Sequence, residues 1–244
     1  MRKVQPLLIL AVFLLTFGGC HSKREPDSAL QSKGSVSAGA KAAEAAAEAD
    51  EGAVEAETAN DGRPVIVCFG DSLTAGYGAP SGQSYPDYLQ ADLDRLGYHY
   101  RVANEGVSGN TTKDGVERLP EVLALHPAIA VVEFGGNDGL RGLPISESRM
   151  NLDEIVKRLK AAGAQVVITG ITLPPNYGPD YVRQFDDSYI VLAKKYRTPM
   201  LPFLLKNVYG VPGMMQQDNT HATGKGNKVV AENVLKLIQP LLKK

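Results

Sequence analysis

Hydrophobic positions divide the chain into three regimes. From Leu7 to Phe17 they are nearly continuous, and from His21 to about Asp61 bulky apolar side chains are sparse. From Arg63 onward short apolar runs alternate with stretches of helical spacing. The run Val65 to Phe69, β-branched and aromatic, predicts a buried strand that ends at Gly70. Tyr85, Tyr88, Leu89, Leu93 and Leu96 repeat at helical spacing and stop at Gly97, which predicts a helix from Tyr85 to Leu96. Tyr100 to Ala103 reads as a short strand, and Thr111 or Thr112 caps a helix running through Leu119 to Leu125. Ala128 to Phe134 reads as a continuous apolar strand, broken by Gly135-Gly136-Asn137-Asp138. A helix from Leu152 to Ala162, a strand from Gln165 to Ile171 and a helix from Tyr181 to Tyr196 follow. Met200 to Pro202 marks a last short strand, and Val229 to Leu242 a closing helix. Strands that alternate with helices, and that lack a polar alternation of their own, imply a parallel sheet covered on both faces. The expectation is a single three-layer α/β/α domain.

The flanking composition sets that domain in a longer chain. Arg2 and Lys3 precede an apolar segment too short for a comfortable membrane span, the pattern of an export signal over residues 1–19. Residues 20–62 read as a tether: Ala40 to Ala59 is rich in Ala and Glu, with Val54 its only bulky apolar residue. Such a stretch has helix propensity but no face to bury. The domain itself is expected over residues 63–244. The 244 residues carry a formal net charge of -1, so the charge balance points to no nucleic-acid partner. There are two cysteines, Cys20 in the leader region and Cys68 inside the first strand. A disulfide between them is not expected, and no Cys/His set has zinc-site spacing.

Four segments carry candidate chemistry. A serine, Ser72, directly follows a buried strand, where open α/β sheets place reactive groups. Its hydroxyl can face a crevice while its amide donates to an oxyanion. After the second strand comes Gly109, which either lets a backbone amide approach a ligand or makes a turn. After the third comes Asn137, either an amide donor or a helix cap. Near the C-terminus, Asp218-Asn219-Thr220-His221 places a carboxylate three residues from an imidazole. That spacing allows one ring nitrogen to be fixed while the other takes a proton from a serine. Asp71 reads as a carboxylate that stabilises local amides at a helix start. His21, His99 and His126 read as solvated or capping side chains.

Together these segments resemble the SGNH (GDSL-type) hydrolases, whose four blocks are named for Ser, Gly, Asn and His. The resemblance spans Arg63 to Leu242 in the expected order. Gly135-Gly136-Asn137-Asp138-Gly139-Leu140-Arg141-Gly142 and Leu173-Pro174-Pro175-Asn176-Tyr177-Gly178 are similar to the thioesterase I/lysophospholipase L1/arylesterase branch. It implies a flavodoxin-like five-stranded parallel sheet with no metal and no cofactor. The catalytic residues it implies are Ser72, Asp218 and His221, with oxyanion donors from Ser72, Gly109 and Asn137. Tyr77, Leu140 and Tyr177 either line a substrate groove or pack loops. Many relatives place Pro after the catalytic His, whereas Ala222 stands here.

Thr16-Phe17-Gly18-Gly19-Cys20 likewise resembles a bacterial lipobox, with Phe17 in place of the usual aliphatic residue. It implies a lipid anchor at Cys20; a plain cleaved signal or an uncleaved anchor are the other readings. The function these resemblances imply is hydrolysis of carboxylic esters or thioesters by an exported, membrane-anchored monomer. Substrates would be small esters, acyl thioesters or lysophospholipids. A carbohydrate O-deacetylase or a non-catalytic binding protein of the same fold are the alternatives.

Overall fold

The computed structural model describes residues 61–244. The stretches read as an export signal and, up to Asn60, as a tether, with Cys20 between them, lie outside the described residues. Five strands, β1 (Val65–Gly70), β2 (Arg101–Gly106), β3 (Pro127–Glu133), β4 (Gln165–Thr169) and β5 (Met200–Leu201), form one sheet in the order β2-β1-β3-β4-β5. Every pairing is parallel. The helices are α1 (Ser72–Ala75), α2 (Tyr85–Arg95), α3 (Thr112–Ala124), α4 (Gly136–Leu140), α5 (Ile145–Ala161), α6 (Pro179–Tyr196) and α7 (Gly224–Ile238). Strand order reverses between β1 and β3, so a crevice opens there at the carboxyl edge of the sheet.

The side chains of β1 show why its apolar run has no polar alternation. Val65, Val67 and Phe69 point to one face and pack in a cluster with Leu119, Ile155 and Phe185, from α3, α5 and α6. Ile66 and Cys68 point to the other and pack with Leu89, Leu93 and Val234, from α2 and α7. Both faces are therefore dry, and all six residues of β1 are buried. Phe69 meets Phe134 edge-to-face, with ring centroids 4.8 Å apart.

Several elements depart from the sequence expectation. β2 runs to Gly106 rather than Ala103, because Asn104, Glu105 and Gly106 continue the ladder beside Cys68, Phe69 and Gly70. It is an edge strand, so polar side chains can face solvent without leaving the sheet. β4 ends at Thr169 and releases Ile171 from the ladder. The segment after β3, expected as a break, coils into α4 from Gly136. α5 starts at Ile145, ahead of the expected Leu152, and α6 at Pro179, ahead of Tyr181. α7 starts at Gly224, capped by Thr223, where the apolar spacing had pointed to Val229. Its first turn, Gly-Lys-Gly-Asn, carries no hydrophobic side chain, yet Gly224, Gly226 and Asn227 are buried. α7 stops at Ile238, and Gln239–Leu241 forms a separate turn around Pro240.

α1 lies close against β2. A methyl group built on Gly106 would run into the backbone of Thr74 and Ala75. Only glycine admits that approach. Gly106→Ala should therefore force α1 off the sheet edge at about 1–3 kcal/mol, the usual range for overpacking. A thermal melt should read this as a loss of about 2–4 °C per kcal/mol for a domain of this size.

Candidate active site

The first piece of the site is the sharp turn that ends β1. Asp71 is the N-cap of α1, its Oδ1 accepting the amide of Leu73 at 3.0 Å, and Gly76 closes the turn in the left-handed conformation. Ser72 is thus the first residue of a four-residue helix, with its hydroxyl at the carboxyl edge of the sheet. The second piece is the turn Asp218–His221. Asp218 Oδ1 accepts the amides of Thr220 and His221 at 2.9 and 3.0 Å, and Asn219 adopts a φ of 53° to complete the bend. This brings the two side chains to one side of the loop, where Asp218 Oδ2 and His221 Nδ1 stand 2.7 Å apart. His221 Nε2 lies 2.8 Å from Ser72 Oγ.

The charge state of Asp218 assigns the protons along this chain. Partial desolvation pushes its carboxyl up, but hydrogen bonds from the His221 ring, the His221 amide and the Thr220 amide outweigh it. The net result is a fall to about 2. An ionised carboxylate can only accept, so Nδ1 carries the proton and Nε2 presents its lone pair to the Ser72 hydroxyl. The arrangement can move a proton off Ser72 and delocalise the charge left on the imidazole.

The turn lacks the proline common after such a histidine, and other contacts hold it. Met215 and Ala222 bridge antiparallel, and Gln216 accepts nothing from His221 but donates its amide N–H to the His221 carbonyl at 2.8 Å. The Gln216 side chain donates to the carbonyls of Tyr77 and Ala222, at 2.7 and 2.9 Å. It ties the His221 loop to the Ser72 loop. The Tyr77 ring sits 4.8 Å from the His221 ring between centroids. Nothing in the sequence pattern singled out Gln216.

Gly109 follows β2 with a φ of +83°, a conformation that glycine adopts freely. Its carbonyl accepts from Arg141 Nη2 at 3.0 Å. The N–H groups of Ser72 and Gly109 make no hydrogen bond among the described residues. Asn137 lies in the first turn of α4, in a helix rather than the expected loop. Its Nδ2 donates to the Asn110 carbonyl at 2.9 Å and to Asp71 Oδ2 at 3.2 Å. Asp71 therefore caps α1, as its position implied, and also holds Asn137. Behind it sits Glu133, the one ionisable residue in the strand expected to be continuously apolar. A lone carboxyl at the C-terminal end of a buried strand was the signal available in the sequence. Burial pushes Glu133 well above the usual carboxylate range, with the neighbouring Asp71 adding to it, and burial pushes Asp71 up to about 6.

Ser72 and His221 open into a groove of about 1190 Å³. Its walls are mostly apolar: Leu73 beside the serine, Ile171 after β4, Phe203 and Leu205 after β5. Tyr77 and Leu140 line it. Tyr177 does not; its hydroxyl donates to the Leu140 carbonyl at 2.8 Å and its ring stacks on Tyr181, so it packs the loops. His99, His126 and Cys68 lie outside the groove, and Cys68 is a free, buried thiol. Among the described residues no three His, Cys, Asp or Glu side chains converge as a metal-ligand set.

Residues 68–229 match the model of the GDSL-like Lipase/Acylhydrolase family. The esterase TesA of Pseudomonas aeruginosa is 42% identical over 178 residues, covering 72% of this chain and 89% of the relative. Thioesterase 1/protease 1/lysophospholipase L1 of Escherichia coli K12 is 37% identical over 178 residues, covering 72% of this chain and 84% of the relative. The crystal structure of TesA superposes with a TM-score of 0.70 at 41% identity, covering 73% of this chain and 99% of that one. A psychrotrophic esterase, EstA from Pseudoalteromonas, solved inhibited by monoethylphosphonate, gives 0.69 at 29% identity, covering 72% and 97%.

The low value at Asp218 has a signed consequence for stability. Its carboxyl titrates near 3.9 when unfolded and near 2 when folded, so its contribution is present above about pH 4 and is lost as pH falls towards 2. Denaturant midpoints of wild type and Asp218→Asn should differ at pH 6 and converge as pH drops from 4. A gap that stays constant over that range would show that the carboxylate is not held by these bonds.

Proposed function

The chain belongs to the GDSL-like lipase/acylhydrolase family and is a serine esterase or thioesterase, and we propose that Ser72, His221 and Asp218 carry its reaction. His221 Nε2 takes the proton of Ser72 as Oγ attacks the acyl carbonyl. The Asp218 carboxylate orients the ring and balances the imidazolium that forms. The tetrahedral oxyanion is held by the N–H groups of Ser72 and Gly109 and by Asn137 Nδ2. His221 then protonates the departing alkoxide or thiolate, leaving an acyl group on Ser72. Water, deprotonated by the same nitrogen, releases the acid and restores the hydroxyl. The observation that carries this reading is the unbroken contact from Ser72 Oγ to His221 to Asp218 at the floor of the groove.

The apolar walls favour acyl groups of hydrocarbon character, as small esters, acyl thioesters or lysophospholipids. The same walls speak against a carbohydrate O-deacetylase, whose substrate would need a polar lining. The free donors near Ser72 speak against a purely binding role. The enzyme acts as a monomer with no cofactor and no nucleic-acid partner. Residues 1–19 direct export, and residues 20–62 tether the domain to a bacterial envelope membrane through lipid on Cys20. No helix among the described residues is long and apolar enough to cross a membrane.

Ser72→Ala should remove covalent labelling by a fluorophosphonate and turnover of p-nitrophenyl esters, while the far-ultraviolet circular dichroism stays unchanged. Hydrolysis at the wild-type rate by that variant would overturn the assignment. Cells grown with labelled fatty acid should incorporate it into the wild-type protein and not into Cys20→Ser. An unlabelled wild type would leave the domain without a lipid anchor and its chemistry unaffected.

A further inference from the structure

A pair of carboxyl groups lies directly behind the nucleophile and takes no part in the proton transfers above. Asp71 and Glu133 are 2% and 1% exposed. They sit at the ends of adjacent strands, where Gly70 of β1 pairs with Glu133 of β3. Glu133 Oε2 accepts the amide of Asp71 at 3.3 Å and the hydroxyl of Thr74 at 2.9 Å. It thereby grips both sides of the Ser72 turn. Space for this grip comes from Gly70, where a methyl group would run into Thr74 Oγ1 and the Glu133 carboxyl. Glu133 Oε1 is buried and has no partner. Asp71 in turn accepts from Leu73 on Oδ1 and from Asn137 on Oδ2.

We infer that Glu133 and Asp71 act as a positioning pair for the oxyanion hole: Glu133, a neutral acid, clamps the Ser72 turn, and Asp71 aims the Asn137 amide. The inference rests on the assignment of Asn137 as an oxyanion donor. Two arguments make Glu133 neutral. An ionised carboxylate at that depth has about four lone-pair sites to fill, and only two donors reach it. None of its hydrogen-bond partners is a cation. The titratable groups that act on the pair are His221, Asp138 of α4, Tyr85 of α2 and Tyr189 of α6, of which only His221 can become positive. Two like charges so placed are avoided by leaving the proton on one carboxyl, which leaves the pair a single negative charge, on Asp71.

The consequence concerns Asn137. One of its two Nδ2 hydrogens goes to Asn110 O, and the other to Asp71 Oδ2 in the longer bond, at 3.2 Å. Together they fix the plane of the amide before substrate arrives, and the longer bond is the one an oxyanion can share as its charge develops. Asp71→Asn keeps an oxygen for the Leu73 amide but sets an amide donor against the Asn137 donor. Glu133→Gln keeps an oxygen for the two donors of the Ser72 turn without a charge.

The test is a double-mutant cycle on kcat and KM for a p-nitrophenyl ester, with thermal melts alongside. Asn137→Ala alone should lower kcat by about 10²–10³-fold, the usual cost of losing one oxyanion donor. Asp71→Asn should lower kcat by about tenfold or more with KM little changed, yet by less than about threefold when added to Asn137→Ala, because its effect passes through that amide. A merely structural role would lower the melting temperature and cost the same factor in both backgrounds, which would overturn the inference. Glu133→Ala should lose kcat, and Glu133→Gln should recover most of that loss. If glutamine is as damaging as alanine, or lowers kcat more than about 100-fold where alanine fails to fold, the neutral acid is wrong. A normal kcat for Asn137→Ala would instead remove Asn137 from the oxyanion hole, and this inference with it.

Discussion

A parallel sheet delivers the C-terminal end of every strand to the same edge, and the chemistry of this domain depends on that constraint. β1 leads to Ser72, β2 to Gly109, β3 to Asn137, and the loops after β4 and β5 supply Ile171 and Leu205. Residues 149 positions apart, Ser72 and His221, meet because the last loop returns to the edge where the first strand stopped. None of these side chains could be brought together by local structure alone. The packing on both faces of β1 therefore serves the site: Phe69 on one side and Cys68 on the other fix the height at which Gly70 hands the chain to the serine turn.

The site also arranges carboxyl groups by depth. Asp218, near solvent and surrounded by three N–H donors, is held far below the ordinary range and stays charged. Asp71, buried but with two donors on its oxygens, is pushed up to about 6. Glu133, deeper still and with one oxygen unpartnered, lies well above the ordinary range. The side-chain chemistry is the same in all three; solvation, hydrogen-bond donors and neighbouring charges separate them. This ordering keeps the charged carboxylate of Asp218 beside the His221 imidazole, near solvent.

The first strand, the serine after it and the Asp218–His221 pair were legible in the sequence because each rests on a local signal. An apolar run that stops at glycine marks a strand end, and a carboxylate three residues before a histidine marks a turn. What was not legible depends on partners distant in the chain. The outer half of β2 is polar in composition, and only its ladder with Cys68, Phe69 and Gly70 makes it a strand. The first turn of α7 has no hydrophobic side chain, and it is buried because small residues let its backbone approach Gln83 and Met214. Gln216, which joins the Tyr77 and Ala222 carbonyls, looks like any surface glutamine until both loops are in place. Tyr177 shows the reverse: proximity in sequence to groove residues did not put it in the groove.

Cys68 is the only free cysteine among the described residues, fully buried, with its thiol pushed up to about 12 by desolvation. The thiolate is the species that alkylating agents and oxidants attack, so in the folded domain this sulfur is chemically silent. It becomes reactive only when β1 leaves the sheet, and β1 is the strand that leads into the Ser72 turn. Opening of the core is thus coupled to the appearance of a reactive thiol, a native chemical clock for global unfolding built into the strand that feeds the Ser72 turn.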